Sequence, residues 1–249
     1  HQFLDINDSE SLGMISNLDP DLNISIAYDQ IFRPPFLSIA GMGNINIHAG
    51  KLPYYRGRNV INWAIINGEK EIGITSHYID TGIDTGDIIR QITVPVTWTD
   101  TYGSVLQKIQ YNIPKLVRQV VSDLEQGVIM REPQRLVGTY FPGRMDGDEW
   151  INWSIKSLDI YNKIRAITEP GPGALTSFKQ RKIKIWKAEY DPDWPAYVAI
   201  PGAIVGVNPG KWVSVKTGDS TLRVREIQYD DQVRMPPDWK LGMRLDVNA

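Results

Sequence analysis

The feature that most limits the fold of this chain is a change of pattern near residue 137. Ahead of it, apolar stretches of strand length alternate with stretches of helical period; behind it come short strands separated by Gly, Pro and Asp turns. Leu22, Ile24 and Ile26 alternate with polar residues and lead into Ala27-Tyr28, which reads as a strand. After the breakers Arg33-Pro34-Pro35, Ile45-Asn46-Ile47-His48 reads as a second strand. A Gly/Pro-punctuated loop, Ala49 to Gly57, leads to a helix near Arg58–Asn67 that Asn67-Gly68 stops. Ile72–Ile79 and Ile88–Val96 read as two more strands, on either side of an Asp-rich loop. Thr99 or Asp100 is expected to cap the clearest helix, whose apolar residues run from Tyr102 to Leu124 in steps of three and four, with a kink at Pro114. Strands alternating with helices predict an α/β domain over residues 1–136, followed by a linker and helix over 137–172. Residues 173–249 carry Ile183-Lys184-Ile185, Val213-Ser214-Val215 and Leu222-Arg223-Val224, and read as a small β-rich, barrel-like domain.

Composition excludes whole classes of chemistry. The 249 residues are 42% hydrophobic and 22% charged, enough for a real core. Lys+Arg 27 against Asp+Glu 29 lacks the basic excess that phosphate backbones demand, so no nucleic-acid partner is expected. With no cysteine, disulfides, thiol nucleophiles and Cys-based zinc sites are ruled out, which fits a reducing compartment. No apolar run approaches the roughly 18 residues that cross a bilayer, so no membrane partner is expected.

The candidate chemistry gathers at three places. On a strand, residues two apart share a face, so Asn46 and His48 project side by side. An amide donor beside an imidazole suits a carbonyl reaction, in which one holds a developing oxyanion and the other moves a proton. A lone His beside a loop is also a common structural residue, and His77, in mid-strand, is read that way. Asp80, Asp84 and Asp87 resemble a cation loop but lack the full oxygen set and closing Glu, so no metal is expected. They read either as turn chemistry, with Thr81-Gly82 and Thr85-Gly86, or as the source of a carboxylate that orients His48. Lys51, Arg56 and Arg58 form a basic loop that is either surface charge or a grip for phosphate or carboxylate.

Together, Asn46-Ile47-His48-Ala49-Gly50-Lys51-Leu52-Pro53-Tyr54-Tyr55-Arg56-Gly57 and Gly82-Ile83-Asp84-Thr85-Gly86 resemble the folate-dependent formyltransferases. The resemblance covers most of residues 22–127 and implies a Rossmann-like catalytic domain with 10-formyltetrahydrofolate as formyl donor. It makes Asn46, His48 and Asp84 the catalytic trio, with 36 positions between His48 and Asp84 as in the family. Asn46 and a protonated His48 would hold the oxyanion, while Asp84 sets the charge of His48 and helps move protons from the attacking amine. The pterin is implied to lie along the backbone of Gln30, Ile31 and Phe32 and against the loop of Asp80, Thr81 and Gly82. Many members carry Ser where this chain has Gly50, and only 45 residues precede Asn46, so the opening β-α-β portion of the family is expected to be absent.

Four acceptors come into question: a nucleotide-linked amino sugar, initiator methionyl-tRNA, glycinamide ribonucleotide and water. The long C-terminal region counts against the glycinamide enzyme, and a pI near 6.0 against the tRNA enzyme. Arg56-Gly57-Arg58-Asn59-Val60-Ile61-Asn62-Trp63 most resembles the sugar N-formyltransferases, which makes Lys51, Arg56 and Arg58 substrate-binding candidates. The expected activity is therefore formyl transfer to a dTDP-amino-dideoxy sugar, with UDP-4-amino-arabinose next. A homodimer, a cytoplasmic location and a place in bacterial surface-polysaccharide synthesis follow from the same resemblance. Methionyl-tRNA formyl transfer and a non-catalytic binding module are the alternatives; the latter would take up folate and release no tetrahydrofolate.

Overall fold

A computed structural model describes residues 2–128, 130–230 and 232–246, so His1 lies outside the described residues. The chain divides into two units. The first comprises the stretch ending at Val60 together with Glu71–Pro95 and Gln107–Gly143; the second comprises Ile61–Lys70, Val96–Leu106 and everything from Arg144.

The first unit is built on a four-stranded sheet. Its strands are β1 (Asn23–Ile26), β2 (Asn44–His48), β4 (Glu71–Tyr78) and β5 (Ile88–Pro95), in the order β1-β2-β4-β5. β1 runs parallel to β2, and the other two pairings are antiparallel. Ile45 and Ile47 of β2 and Ile72 and Ile74 of β4 are buried, and burial of such β-branched side chains is what drives these strands together. A pair of two-residue strands, β3 (Arg56–Gly57) and β6 (Tyr140–Phe141), runs parallel. Two short helices, α1 (Ser9–Ser16) and α2 (Pro34–Leu37), were not legible in the apolar pattern. α1 is nonetheless signalled locally, because the Asp8 side chain accepts the Ser11 N–H at 2.6 Å, an N-cap.

α3 (Val60–Ile66) ends at Gly68, whose φ of +72° lets Gly68 N–H and Glu69 N–H close onto the carbonyls of Ile65 and Ala64. α4 (Tyr102–Glu125) continues through Pro114 and buries Val105, Ile109, Leu116, Val120 and Leu124 along one face. Its cap is Thr101, neither Thr99 nor Asp100. Thr101 N–H donates to Ser104 Oγ at 3.0 Å, Ser104 N–H returns to Thr101 Oγ1 at 3.5 Å, and Val105 N–H opens the helix onto the Thr101 carbonyl. Asp100 instead accepts from Thr97 N–H and Ser104 Oγ, bracing the preceding turn.

In the second unit, α5 (Ser157–Ile167) packs on a five-stranded antiparallel sheet. The strands β7 (Ala174–Phe178), β8 (Arg181–Glu189), β9 (Ile204–Asn208), β10 (Trp212–Lys216) and β11 (Thr221–Tyr229) lie in the order β7-β8-β11-β10-β9. These five strands do not pair into a closed barrel. A final segment hydrogen-bonds to both ends of the sheet instead, Leu245 N–H to the Gly202 carbonyl beside β9 and Asp246 N–H to the Ser177 carbonyl of β7. Its buried face holds Ile183, Ile185, Val213, Val215, Leu222, Val224 and Ile227.

Candidate active site

β2 turns Ile45 and Ile47 to one side and Asn46 and His48 to the other. The register of β2 on β4 then decides which side chains meet them, since directly opposed residues share a face. His77 stands opposite Asn46 and Thr75 opposite His48. The loop after β4 brings Asp84 onto the same place. His48 Nδ1 lies 3.6 Å from Asp84 Oδ2 and His77 Nε2 lies 3.4 Å from Asp84 Oδ1. Asn46 Nδ2 is 3.3 Å from His77 Nε2 and 3.5 Å from Asp84 Oδ1. The sequence-expected trio is therefore assembled, with His77 as a fourth member.

The Asp84 loop is held by turn chemistry. Asp84 adopts φ +53°, a left-handed conformation that Asp tolerates better than most residues. Asp80 Oδ1 accepts from Gly82 N–H at 3.0 Å and from Thr85 Oγ1 at 2.7 Å. A Cβ at Gly86 would fall 1.9 Å from the Tyr78 carbonyl oxygen, so that site requires glycine, and one at Gly82 would fall 2.0 Å from Thr85 Oγ1 and displace the hydroxyl that Asp80 holds. Asp80 thus serves the turn, while Thr81 and Gly82 are exposed.

His48 Nε2–H donates to the Tyr55 carbonyl at 2.6 Å, and His77 Nδ1–H donates to the Tyr78 carbonyl at 2.8 Å. Burial pushes the His48 imidazole below its ordinary value; the Asp84 carboxylate and the Tyr55 carbonyl pull upward without reversing this. The resting ring is accordingly neutral near pH 7, because β2 buries this face. Burial works to raise the Asp84 carboxyl, yet the His77 contact, the His48 ring and the Gly57 N–H together hold it below the usual carboxylate value. The Gly57 N–H donates to Asp84 Oδ2 at 2.8 Å. Asp84 is an anion at neutral pH.

The basic residues go to separate tasks. Lys51 forms a surface ion pair with Glu71. Arg56 directs its guanidinium at Gln134 Oε1, from Nε at 3.1 Å and Nη2 at 2.7 Å. Arg58 Nη2 donates to the Asp29 carbonyl at 3.2 Å, beside the expected pterin segment. Within that segment the Gln30 side chain ties down the N-terminal stretch, accepting from Ile6 N–H at 2.8 Å and donating to the Leu4 carbonyl at 3.2 Å. Ile31 is 64% exposed, and Phe32 stacks between Tyr28 and Phe36. Tyr28 is also exposed beside this run of peptide groups. Through Gly57 to Asp84 and Arg58 to Asp29, the trio and this segment converge on one dipeptide. Among the described residues, no group of three or more His, Asp or Glu is placed to hold a metal ion.

Sequence reasoning missed His77, Gly57 and Gln134. Spacing offered a signal for His77 only once the β2–β4 register is known. Gly57 has φ +98°, and a Cβ there would fall 2.2 Å from the Phe141 carbonyl oxygen, a constraint set by a partner more than 80 residues away. Gln134 lies in a stretch read as domain edge.

The formyl transferase family model matches residues 5–121, and the model for the formyl transferase C-terminal domain matches residues 145–242. The chain belongs to the formyl transferase family. Members of this family draw on formyl-tetrahydrofolate, the donor expected from the sequence. A methionyl-tRNA formyltransferase of Pelotomaculum thermopropionicum is 37% identical to this formyl transferase over 234 residues, 94% of the chain and 74% of its own length. Another, of Desulforamulus reducens, is 35% identical over 225 residues, covering 89% of the chain and 69% of its own length. A solved sugar 3N-formyl transferase, crystallised with dTDP and a formyl-tetrahydrofolate, superposes with a TM-score of 0.68 at 21% identity, over 88% of this chain and 77% of its own. That likeness is one of fold.

These relatives overturn the amino-sugar acceptor expected from sequence and, with it, the nucleotide-sugar and surface-polysaccharide context and the exclusion of nucleic acid. The physical reason lies in the segment that suggested a sugar. Arg56 and Arg58 are engaged with Gln134 and the Asp29 carbonyl, and Asn62 Nδ2 is buried in a 2.6 Å hydrogen bond to the Ala166 carbonyl. Arg56 and Asn62 therefore serve the fold, and those two positions carry little information about the acceptor.

Proposed function

We propose that this formyl transferase moves a formyl group from 10-formyltetrahydrofolate to the amino group of methionyl-tRNA. What carries the reading is identity of 35–37% across about nine-tenths of the chain to enzymes of that name. The site's chemistry supports it, because an amine acceptor needs a base, a donor for the oxygen that gains charge, and exclusion of water.

The bound donor supplies an electrophilic formyl carbon and a nitrogen leaving group. The Asp84 carboxylate, anionic and fixed by the Gly57 N–H, sits 3.6 Å from His48 Nδ1, so a proton shed by the attacking amine is shared between these two atoms. Asn46 Nδ2–H and the Nε2–H of His48 are the donors available to an oxygen gaining negative charge, once His48 exchanges the Tyr55 carbonyl for it. One such donor is typically worth about 10²–10³ in rate. His77, held by the Tyr78 carbonyl, keeps Asn46 and Asp84 in register.

The test incubates the full chain with 10-formyltetrahydrofolate and aminoacylated initiator tRNA, following tetrahydrofolate release and the mass of the methionyl group. One added formyl on methionine is the expected outcome. Tetrahydrofolate released with unmodified methionyl-tRNA, or no turnover from folded protein, overturns the acceptor assignment.

A further inference from the structure

Gln134 lies outside both family-model matches, 50 residues from Asp84, yet its side chain touches both things that fix the Asp84 carboxylate. The chain arrives there because residue 132 pairs with the start of β5. Ile88 N–H and Glu132 N–H each donate to the other's carbonyl at 2.9 Å. Two residues on, Gln134 Nε2 donates to the Asp84 carbonyl at 2.9 Å and to the Gly86 carbonyl at 2.7 Å. Its Oε1 accepts both contacts from Arg56. Arg56 immediately precedes Gly57, whose N–H holds Asp84 Oδ2. One amide therefore ties the backbone that carries the carboxylate to the strand that supplies its hydrogen-bond donor. Only a carboxamide offers two donors and an acceptor at that length; Glu cannot donate and Met does neither.

We infer that Gln134 is a positioning residue that sets where the Asp84 carboxylate stands relative to His48. The inference rests on the reading of Asp84 and His48 as proton-handling groups, and its test separates the two. Gln134→Glu keeps the acceptor for Arg56 but removes both donors and sets a carboxylate against two carbonyl oxygens; Gln134→Met removes everything. The first readout needs no acceptor. The chain has three histidines, so the His48 ring protons can be assigned by NMR in the full chain with a His77→Asn control and titrated. The groups facing the His48 ring are the Asp84 carboxylate, His77 and the Tyr55 carbonyl, and among these only the Asp84 carboxylate raises its proton affinity as an anion. With Asp84 displaced, the His48 midpoint falls below that of the unaltered protein in Gln134→Met; in Gln134→Glu the introduced carboxylate pulls the midpoint upward, so that variant is read by its kinetics.

The second readout is kinetic: kcat is expected to drop about 10- to 100-fold with KM for 10-formyltetrahydrofolate little changed, the loss typical of a small misplacement of a reacting group. If Gln134→Met fails to fold by circular dichroism, Gln134→Ala takes its place, since it too removes every contact of the amide and adds no charge. A His48 midpoint unchanged in the folded neutral variant overturns the inference whatever the kinetics, and leaves Gln134 as an anchor for Arg56. Lack of turnover on methionyl-tRNA by the unaltered enzyme overturns the acceptor reading without touching the NMR result.

Discussion

At the scale of single residues, the site is two strands deep and one loop wide, and its electrostatics follow from burial. His48 is 8% exposed and neutral at rest, and Asp84 is an anion fixed by the Gly57 N–H between the two imidazoles. Replacing either Asp84 or His48 by Ala should lower kcat by about 10² or more while the melting temperature stays close to that of the parent; steady-state kinetics and a thermal scan check both halves. Burial of His48 also gives a pH signature in stability. Its folded-state proton affinity is depressed from the ordinary 6.5, so the unfolded chain takes up the proton first as pH falls. This contribution to stability is complete above about pH 6.5 and is lost progressively below it. Asp84, also depressed, stays stabilising until pH falls below about 3.8, so the loss from His48 begins first as pH is lowered. Urea denaturation at pH 7.5 and 5.5 should show a loss at the lower pH that His48→Gln reduces. An equal loss in that variant would place the effect elsewhere.

At the scale of elements, the long periodic segments were legible in the sequence and the short paired ones were not. The strands expected near residues 45–48, 72–79 and 88–96 are present, as is the helix over 102–125, because each carries apolar residues that the fold buries. The pairing of β3 with β6 has no such periodicity: it is two residues long, and its partners are 84 positions apart. It nevertheless positions the Asp84 donor. Gly57→Ala would force a Cβ against the Phe141 carbonyl at a left-handed φ, so activity is expected to fall about 100-fold or more together with the melting temperature. At the start of α4 the effect is purely structural. Thr101→Ala removes half of a reciprocal cap and should cost about 1 kcal/mol in chemical denaturation, with kcat unchanged.

At the scale of the whole molecule, a single net charge misled. The formal charge of −2 sums unlike halves: up to Gly143 there are 11 Lys and Arg against 15 Asp and Glu, and from Arg144 there are 16 against 14. A chain-wide pI near 6.0 cannot register that division, so it is no ground for excluding a nucleic-acid acceptor. If methionyl-tRNA is the acceptor, log(kcat/KM) for the tRNA should fall with log of salt concentration, by roughly 0.7–0.9 per phosphate neutralised, while KM for the folate donor stays nearly flat. An equal fall for both would locate the salt effect in the catalytic site.

By itself the sequence carried the long periodic elements, the formyl transferase resemblance and the expectation that Asn46, His48 and Asp84 act together, because periodicity and short motifs are local properties of a chain. Only the tertiary structure decided that His77 joins them, that His48 rests neutral, and that Arg56 faces Gln134. Each of these depends on strand register, burial or a hydrogen bond between residues dozens of positions apart. Such contacts exist only once the chain has closed on itself.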